Sequence, residues 1–544
     1  MRTLLTIMSL FLICSAAFSD PVFDVKALTS TPLNARIISS TERNGIVTEE
    51  VMFHSEMDGE KSVDIFAFFS YPKGAAKLPS YIWNQGGLGQ AQASNTEYGA
   101  TRGYATLCID FPMPGYRSTG GYPIVAGLEL GEDPKKSAIY HGVVALLKAV
   151  SYLQSRPEVD ANRIGMAGSS WGGFYTTLMV GVDSRLKVGS AYYGTGSLQL
   201  GNVWWDGSGW DSGRDAAFRE RWRTTLDPAW RLKKSKTPIA WFTGTNDVFY
   251  WMPALMKTYQ IAGGPKNLAL LPNYDHALNS PLSGQMYQWL DMWLKDGQAF
   301  DKVTPLKLTK KDDRTIVKWK FSGPRKVVSA DLAVSYGDAG NWRSRCWMSI
   351  PAKISDGTCS VELPSSSRSR CIIGSVVDKD GFRYSTTLKW VDPVGRDDVI
   401  PDYDGCAEWG DFEAAHIIYL QGHAKPVPQI SQDARTGKQS AILNAGKTTL
   451  PSMLFTADIS HKLVCYMKAN EPTNVNVQMS ADRDKNQSNE QNKQHEFSIG
   501  SEWTKVELDY LPSKTLVGSI ALVITVPEGR KVLVDSISFH PINN

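Results

Sequence analysis

The sequence has no long hydrophobic run beyond its first residues, no block of like charges and no common metal-binding motif. The formal net charge is only +3 over 544 residues. Because no run of lysine and arginine stands out, binding to nucleic acid or to an anionic membrane has little electrostatic support. Neither a CxxC nor an HExxH pattern occurs, so we expect no catalytic zinc site, and nothing in the sequence implies a cofactor.

The only marked apolar run lies at the start, in MRTLLTIMSLFLICSAAFSD. An early cation, a short hydrophobic segment and small residues predict a signal peptide over residues 1–19, cleaved near Ser19. The run is shorter than the roughly 20 residues that span a bilayer. Lipidation at Cys14 is an alternative that the bulky Ile13 before it disfavours. We therefore expect a secreted or periplasmic protein without a membrane span.

Cysteine use fits an exported protein. Six cysteines follow the predicted signal peptide, and an oxidising compartment would allow them to form disulfides. The spacing of Cys346, Cys359 and Cys371 allows one pair among them, but the connectivity cannot be deduced from the sequence.

The length predicts roughly three domains. Between about residues 50 and 300, short apolar runs alternate with longer helical patterns, which predicts an α/β domain with a largely parallel sheet. Residues 305–395 have short alternating strands and many turn residues, which predicts a β-sandwich. After a linker rich in Asp, Pro and Gly, residues 402–544 are again predicted to be all-β.

A nucleophile is predicted within RIGMAGSSWGGFYTTLMV. Gly168 to Gly172 matches G-x-S-x-G with Ser170 at the centre. The motif alone is weak in a chain with 46 glycines, so its surroundings decide. An apolar strand precedes the motif and an apolar helix follows it, as a strained strand-to-helix turn requires. The alternative is a Gly/Ser turn without chemistry.

A serine hydroxyl is a poor nucleophile without a base, and in this type of site the chain order is Ser, acid, His. Of the eight histidines, two precede Ser170 and five lie in the C-terminal β region, which leaves His276. Asp247 follows the apolar strand TPIAWFTG and is the predicted acid. Asp275 is too near His276 in sequence to reach its Nδ1 easily, and Asp227, before a proline, is predicted to be a turn or helix cap.

The oxyanion of an acyl-transfer intermediate needs backbone N–H donors. We predict one from Trp171, directly after the nucleophile, and the other from Gly87 or Leu88 in SYIWNQGGLGQ. In that stretch a strand ends in glycines that let the backbone approach a ligand. The alternative is an ordinary glycine-rich turn.

Together, RPEVDANRIGMAGSSWGGF, FTGTNDVF and NYDHALN resemble the α/β-hydrolase superfamily, in the branch of acetyl xylan esterases, dienelactone hydrolases and prolyl-oligopeptidase catalytic domains. The resemblance covers roughly residues 50–300. It implies Ser170 as nucleophile, Asp247 as acid and His276 as base, with IDFPMPGYRSTGG beside the site. Relatives commonly carry His-Gly-Gly at the oxyanion loop. Here Gln85 takes the place of the histidine, which leaves the anchoring of the loop open.

The C-terminal regions have resemblances of their own. Residues 305–395 resemble the immunoglobulin-like module that follows some secreted hydrolase domains. The last region, with EWGDFE near its start and KVLVDSISFHP near its end, resembles carbohydrate-binding jelly rolls. The predicted organisation is therefore an α/β-hydrolase domain over residues 20–300, an immunoglobulin-like sandwich over 305–395 and a jelly-roll module over 402–544. A terminal sandwich that only packs against the enzyme is the alternative for the last.

A tryptophan-rich insert precedes the strand that leads to Asp247. Trp204, Trp205 and Trp210 are predicted to contact substrate as stacking surfaces, although core packing explains tryptophans equally well. With the predicted export and the β modules, these features favour a serine esterase that acts on acyl, chiefly acetyl, esters of polysaccharides. The alternatives are a peptidase of the prolyl-oligopeptidase kind and a non-catalytic binding scaffold. About 60 residues precede the predicted sheet, too few for the β-propeller that such peptidases usually carry.

Overall fold

The structure is a computed structural model. It describes residues 20, 22–123, 130–206, 214–247, 249–272, 274, 276, 282, 284–311, 314–336, 342, 347–364, 370–391, 424–436, 438–454, 460–481, 494–511 and 519–541. The predicted signal peptide, Trp210, Cys346 and the stretch EWGDFE lie outside these residues. Within the described part of the chain, no helix is both long enough and apolar enough to cross a membrane.

The α/β region is built on one nine-stranded sheet. Its strands are, in chain order, β1 (Arg36–Arg43), β2 (Ile46–Asp58), β3 (Lys61–Pro72), β4 (Leu78–Asn84), β5 (Ala105–Ile109), β6 (Val159–Ser169), β7 (Val188–Tyr192), β8 (Ile239–Gly244) and β9 (Lys266–Leu271). Their order across the sheet is β1-β2-β3-β5-β4-β6-β7-β8-β9. Strands β1, β2, β3 and β5 pair antiparallel, and all pairs from β5 to β9 are parallel. Every residue of β5, β7 and β8 is buried, as expected for strands covered on both faces.

Helices cover this sheet. They are α1 (Val25–Thr29), α2 (Ala93–Thr101), α3 (Ala138–Ser155), α4 (Trp171–Val182), α5 (Val203–Asp206), α6 (Ala216–Thr225), α7 (Pro228–Leu232), α8 (Met252–Ile261) and α9 (Gln285–Leu294). The side chain of Ser137 caps α3 by accepting from the N–H of Tyr140 at 3.1 Å. Asp227 caps α7 by accepting from the N–H of Ala229 at 2.8 Å, which confirms the cap expected before a proline.

The second region consists of two antiparallel sheets. Its strands are β10 (Lys302–Val303), β11 (Lys307–Lys311), β12 (Arg314–Ser322), β13 (Val327–Tyr336), β14 (Met348–Pro351), β15 (Lys353–Ser355), β16 (Thr358–Pro364), β17 (Arg370–Asp378), β18 (Arg383–Ser385) and β19 (Lys389–Val391). One sheet has the order β10-β12-β16-β15 with β11 beside β12, and the other has β14-β13-β17-β18 with β19 beside β17. Residues of both sheets share one apolar cluster, so the sheets form a sandwich. We call residues 302–391 the second module.

The apolar core does not stop at the border between the α/β region and the second module. Ile239, Trp241 and Leu268 of the main sheet belong to the same buried cluster as Trp347 and Ile373 of the second module. A further cluster also combines residues of both regions. The second module therefore packs on the α/β region through a continuous apolar interface.

The last region is also antiparallel. Its strands are β20 (Gln429–Ser431), β21 (Ser440–Leu454), β22 (His461–Ala469), β23 (Thr473–Ala481), β24 (His495–Ile499), β25 (Thr504–Tyr510) and β26 (Ser519–Pro541). The long strand β26 pairs with β21, β22 and β23 around a separate apolar core. An α/β domain followed by β-sandwich regions is thus the fold class that the sequence predicts.

Candidate active site

Ser170 lies in a sharp turn between β6 and α4. Its backbone has φ 57° and ψ −121°, a conformation that costs a residue with a side chain about 1–3 kcal/mol. The strand ends at Ser169 and the helix begins at Trp171. The N–H of Ser170 donates to the carbonyl oxygen of Tyr192, at the end of β7, at 2.8 Å. This bond helps to hold the strained residue in place.

The turn also needs the absence of a side chain at Gly172. A Cβ built there would clash with the carbonyl oxygen of Asn84, the last residue of β4. Helix α4 therefore starts directly against the end of the neighbouring strand. This close approach explains why the glycine of the G-x-S-x-G pattern stands at this position.

His276 and Asp247 are hydrogen-bonded to each other. Nδ1 of His276 lies 2.9 Å from Oδ2 of Asp247. The carboxylate side chain is 1% exposed and the imidazole 14% exposed. Oδ1 of Asp247 accepts from the N–H groups of Phe249 at 2.8 Å and Tyr250 at 3.0 Å. Oδ2 also accepts from Oγ1 of Thr243 at 3.2 Å. These hydrogen bonds satisfy the buried carboxylate of Asp247 and fix the orientation in which it faces the imidazole of His276.

The three predicted residues follow strands that end at the same edge of the sheet. Ser170 follows β6, Asp247 follows β8 and His276 follows β9, and the carboxyl ends of parallel strands lie at the same edge. Strand β7 lies between β6 and β8. The ring of Tyr193, just after β7, lies 5.1 Å from the ring of His276, while its neighbour Tyr192 accepts the hydrogen bond from Ser170. Ser170 and His276 thus contact two adjacent residues at the end of β7, Ser170 through Tyr192 and His276 through Tyr193.

The glycine-rich loop after β4 touches the nucleophile turn. A Cβ built at Gly86 would lie 3.2 Å from Cβ of Ser170. A Cβ at Gly87 would clash with the indole of Trp171. Leu88 has φ 64° and its side chain is 75% exposed. The structure therefore brings Gly87 against Trp171, beside Ser170, and Leu88 follows Gly87 in the same loop.

The side chain of Gln85 anchors the glycine-rich loop to β5. Its Nε2 donates to the carbonyl oxygen of Ile109, the last residue of β5, at 2.8 Å. The thiol of Cys108 lies 2.9 Å from Oε1 of Gln85 and donates to it. The side chain is buried and both ends of its amide are bonded. The side-chain amide of Gln85 thus anchors the loop, a point that the sequence left open. The only indication of this contact in the sequence is a polar residue before two glycines.

A second contact joins the same loop to the one that follows β5. Asp110 is fully buried and accepts from the N–H of Ala91 and from Nε of Arg117 at 3.3 Å. Nη2 of Arg117 donates to the carbonyl oxygen of Ala91 at 3.0 Å. Arg117 and Asp110 therefore tie the loop IDFPMPGYRSTGG to the glycine-rich loop. The sequence reasoning assigned no role to either side chain.

Of the three tryptophans predicted to contact substrate, the two that the structure describes are buried. Trp205 is 2% exposed and packs edge-on against Trp222 and Phe218, so it is part of the core and leaves no face for a substrate to stack on. Trp204 is 6% exposed and lies 5.5 Å from the ring of Trp171. It also stacks on Phe249, which contacts His276 edge-on at 4.8 Å. Trp204 thus supports the aromatic wall beside the site. Trp210 lies outside the described residues.

The arrangement can perform acyl transfer, since it combines a hydroxyl on a strained turn, an imidazole fixed by a buried carboxylate and a backbone loop beside the hydroxyl. No group of three or more His, Cys, Asp or Glu side chains within the described ranges is placed to hold a metal ion.

Comparisons with known proteins find partial similarity to several hydrolases. Residues 135–296 match the model of the prolyl oligopeptidase family. Dipeptidyl-peptidase 5 of Porphyromonas gingivalis is 27% identical over 168 residues, which are 27% of this chain and 24% of that protein. Dipeptidyl-peptidase 5 of Porphyromonas endodontalis is 23% identical over 299 residues, which are 50% of this chain and 41% of that protein. The matches therefore span less than half the length of these relatives.

Among solved structures, the acetyl xylan esterase from Paenibacillus sp. R4 is similar with a TM-score of 0.43 and 22% identity. The similarity covers 50% of this chain and 92% of that structure.

Proposed function

We propose that this protein is an exported serine esterase of the α/β-hydrolase type that removes acyl groups, chiefly acetyl, from polysaccharides. The strand order of its α/β domain and the match of residues 135–296 to the prolyl oligopeptidase family model support the α/β-hydrolase type. The observation that carries the proposal is the hydrogen-bonded pair of His276 and Asp247 at the sheet edge where Ser170 stands on its strained turn. Nucleophilic acyl transfer requires a hydroxyl, a base and an acid, and the chain order Ser, acid, His is the one expected for a nucleophile on a strand-to-helix turn.

In the proposed mechanism, Oγ of Ser170 attacks the ester carbonyl carbon while Nε2 of His276 takes its proton. The electron pair of the carbonyl moves to oxygen, and the N–H groups of Trp171 and of Gly87 or Leu88 stabilise the oxyanion. Collapse of the intermediate expels the sugar oxygen, which receives the proton from His276. A water molecule, deprotonated by the same imidazole, then attacks the acyl carbon. The bond to Oγ of Ser170 breaks, Oγ takes the proton back from His276, and the free acid leaves. Asp247 keeps Nδ1 of His276 protonated and so leaves Nε2 as the base.

An ester is the substrate that makes the least demand on this site. The amine of an amide must be protonated before it can leave, whereas an alkoxide departs more readily, so a triad competent for amides also cleaves activated esters. The polysaccharide part of the proposal rests on the predicted export and on the two β-sandwich regions that follow the α/β domain.

A serine peptidase is the second candidate. The match to the prolyl oligopeptidase family model and the two dipeptidyl-peptidase relatives favour it. Hydrolysis of a dipeptidyl or proline amide at a rate that exceeds ester hydrolysis would support the peptidase and count against the esterase.

The deciding experiment measures acetate release from acetylated xylan by the wild-type protein and by Ser170→Ala, together with labelling of both by a fluorophosphonate. The proposal expects acetate release and labelling by the wild type and neither by the variant. Labelling without acetate release would leave a serine hydrolase with another substrate, and the polysaccharide proposal would fall. A folded wild-type protein that is not labelled would instead support a non-catalytic scaffold.

A further inference from the structure

The second module covers the free edge of the main sheet, next to the proposed active site. Strand β9 is the last in the sheet order, and His276 follows it. The N–H of Leu270, in β9, donates to Oγ of Ser385 in the second module at 3.0 Å. Both ends of the Gln285 side chain, on α9, bond to second-module backbone: Nε2 to the carbonyl of Gly381 and Oε1 to the N–H of Arg383, each at 3.0 Å. The strand that leads to the base is therefore fixed from outside the α/β region.

The second module also reaches the loop of the acid. Asn246, directly before Asp247, is fully buried, and its Nδ2 donates to the carbonyl oxygen of Trp342 at 3.3 Å. The N–H of Asn246 donates to the carbonyl oxygen of Tyr274 at 3.0 Å. Tyr274 lies two residues before His276. One residue thus joins the acid loop, the base loop and the second module.

The acceptor of this contact is itself held firmly. Trp342 is buried in the apolar cluster that the two regions share, together with Trp241 of β8 and Leu255 of α8. Its ring also meets that of Trp390 edge-on at 6.1 Å. The carbonyl that receives Nδ2 of Asn246 therefore belongs to a packed part of the second module.

From these contacts we propose that the second module positions the acid and the base, with Asn246 as the positioning residue through which it acts. The inference rests on the proposed roles of Asp247 and His276. Its physical reason is the distance sensitivity of acyl transfer, because a displacement of about 1 Å can cost on the order of 100-fold in rate. Without the side-chain bond of Asn246, the acid loop keeps its backbone bond to Tyr274 but loses this bond to the second module.

The chain offers a matched control. Asn267 stands near the start of β9, at the opposite end of the strand from His276. Its Nδ2 also donates to a second-module carbonyl, that of Arg383, and at the same 3.3 Å. Asn246→Ala and Asn267→Ala therefore each remove one amide hydrogen bond across the same interface. Only the first removes it from an active-site loop, where it also removes the acceptor of the Thr245 hydroxyl, at 2.6 Å.

The test measures kcat and KM on para-nitrophenyl acetate, the rate of Ser170 labelling by a fluorophosphonate and the melting temperature, for the wild type and both variants. Positioning predicts that Asn246→Ala lowers kcat and the labelling rate by about 10-fold or more with little change in KM, since the loss lies in the alignment of the reacting groups. Asn267→Ala should keep both rates within about twofold of the wild type. Asn246→Ser replaces the first variant if that one does not fold, because a serine side chain is too short to reach Trp342.

Equal labelling rates and equal kcat in folded Asn246→Ala and Asn267→Ala would overturn the inference and leave both residues with a purely structural role. The labelling rate keeps the two proposals separable. If the wild type is labelled but does not hydrolyse the ester, the esterase proposal fails, while the comparison of labelling rates still decides whether Asn246 positions the site.

Discussion

The side-chain amide of Gln85 donates a hydrogen bond to the backbone carbonyl of Ile109, at the end of the next strand in the sheet, at 2.8 Å. This bond fixes the first residue of the loop that carries Gly86 and Gly87. The N–H groups of that loop can stabilise an oxyanion only if they are held in place before the reaction. Gln85 therefore acts in the proposed mechanism through the loop that it holds in place.

Gln85→Ala is expected to lower kcat by roughly 10- to 100-fold, somewhat less than the loss of an oxyanion donor itself, because the donors remain but lose their support. Steady-state kinetics on para-nitrophenyl acetate would measure this change in kcat. Cys108→Ala is the matched control. It removes only the weak S–H donor to the same side chain and should have a clearly smaller effect. Equal kinetics for wild type and Gln85→Ala would show that the loop does not depend on this anchor.

Asp247→Asn is expected to lower kcat by about 1,000- to 10,000-fold. An asparagine can keep its oxygen towards the N–H groups of Phe249 and Tyr250, which turns its NH2 group towards Nδ1 of His276. A donor at that position leaves the imidazole proton on Nε2, where it blocks the acceptance of the proton from Ser170.

The control for this variant is Asp183→Asn. Like Asp247, Asp183 is buried, and it pairs with the side chain of Arg185. It lies at the far end of α4 from Ser170. Circular dichroism should show both variants folded, and only Asp247→Asn should lose turnover. Comparable losses in the two variants would trace the effect to general destabilisation.

Gly172→Ala is expected to lower the free energy of unfolding by about 2–3 kcal/mol, because the new methyl group collides with backbone at Asn84 that cannot move aside easily. Thermal melting or denaturant titration would measure the change. Gly131→Ala is the matched variant, since a Cβ there meets nothing within 4 Å. If both substitutions shift the midpoint equally, the close approach of α4 to β4 is not what constrains this position.

The buried thiols are expected to be unreactive in the folded protein. Burial raises the pKa of Cys108, Cys359 and Cys465 to about 12, whereas an unfolded cysteine titrates near 8.5. At pH 8 the folded protein therefore holds these three as neutral thiols, and the thiolate that reacts with a disulfide reagent forms only after unfolding. Peptide mapping after labelling, with and without denaturant, would check this. Rapid labelling of any of the three in native protein would contradict it.

These free thiols also bear on the cysteine pairing that the spacing allowed. Cys359 is a free cysteine, so the two pairs that include it are wrong. Residue spacing limits which cysteines can meet, but it does not tell which side of a strand each one faces.

The parts of the fold that the sequence predicts best are those with a strong local pattern. Strands β4, β6 and β8 and helix α4 are all present where the apolar stretches beside the predicted site residues indicate them. The first strand, Arg36–Arg43, was missed because all eight of its residues are exposed. A strand with no buried face has no hydrophobic alternation to reveal it.

The residues of the proposed site are easier to predict from the sequence than the residues that hold them in place. Ser170, Asp247 and His276 can be proposed from motif and chain order. The contacts of Gln85 with Ile109 and of Asn246 with Trp342 join residues 24 and 96 positions apart, and no local pattern encodes such a pairing. The role of Trp205 is equally hard to predict from the sequence. Tryptophan occurs both in cores and on binding surfaces, and only its burial in the structure distinguishes the two.

The apolar cluster that joins Trp241 and Leu268 to Trp347 and Ile373 has a practical consequence for anyone who wishes to transplant this enzyme. A gene fragment that ends after α9 would encode a protein that exposes to solvent the apolar surface normally covered by the second module. Proteins with such a surface tend to aggregate during expression. The smallest portable unit should instead extend through Val391. Fusion partners are then best attached beyond that residue.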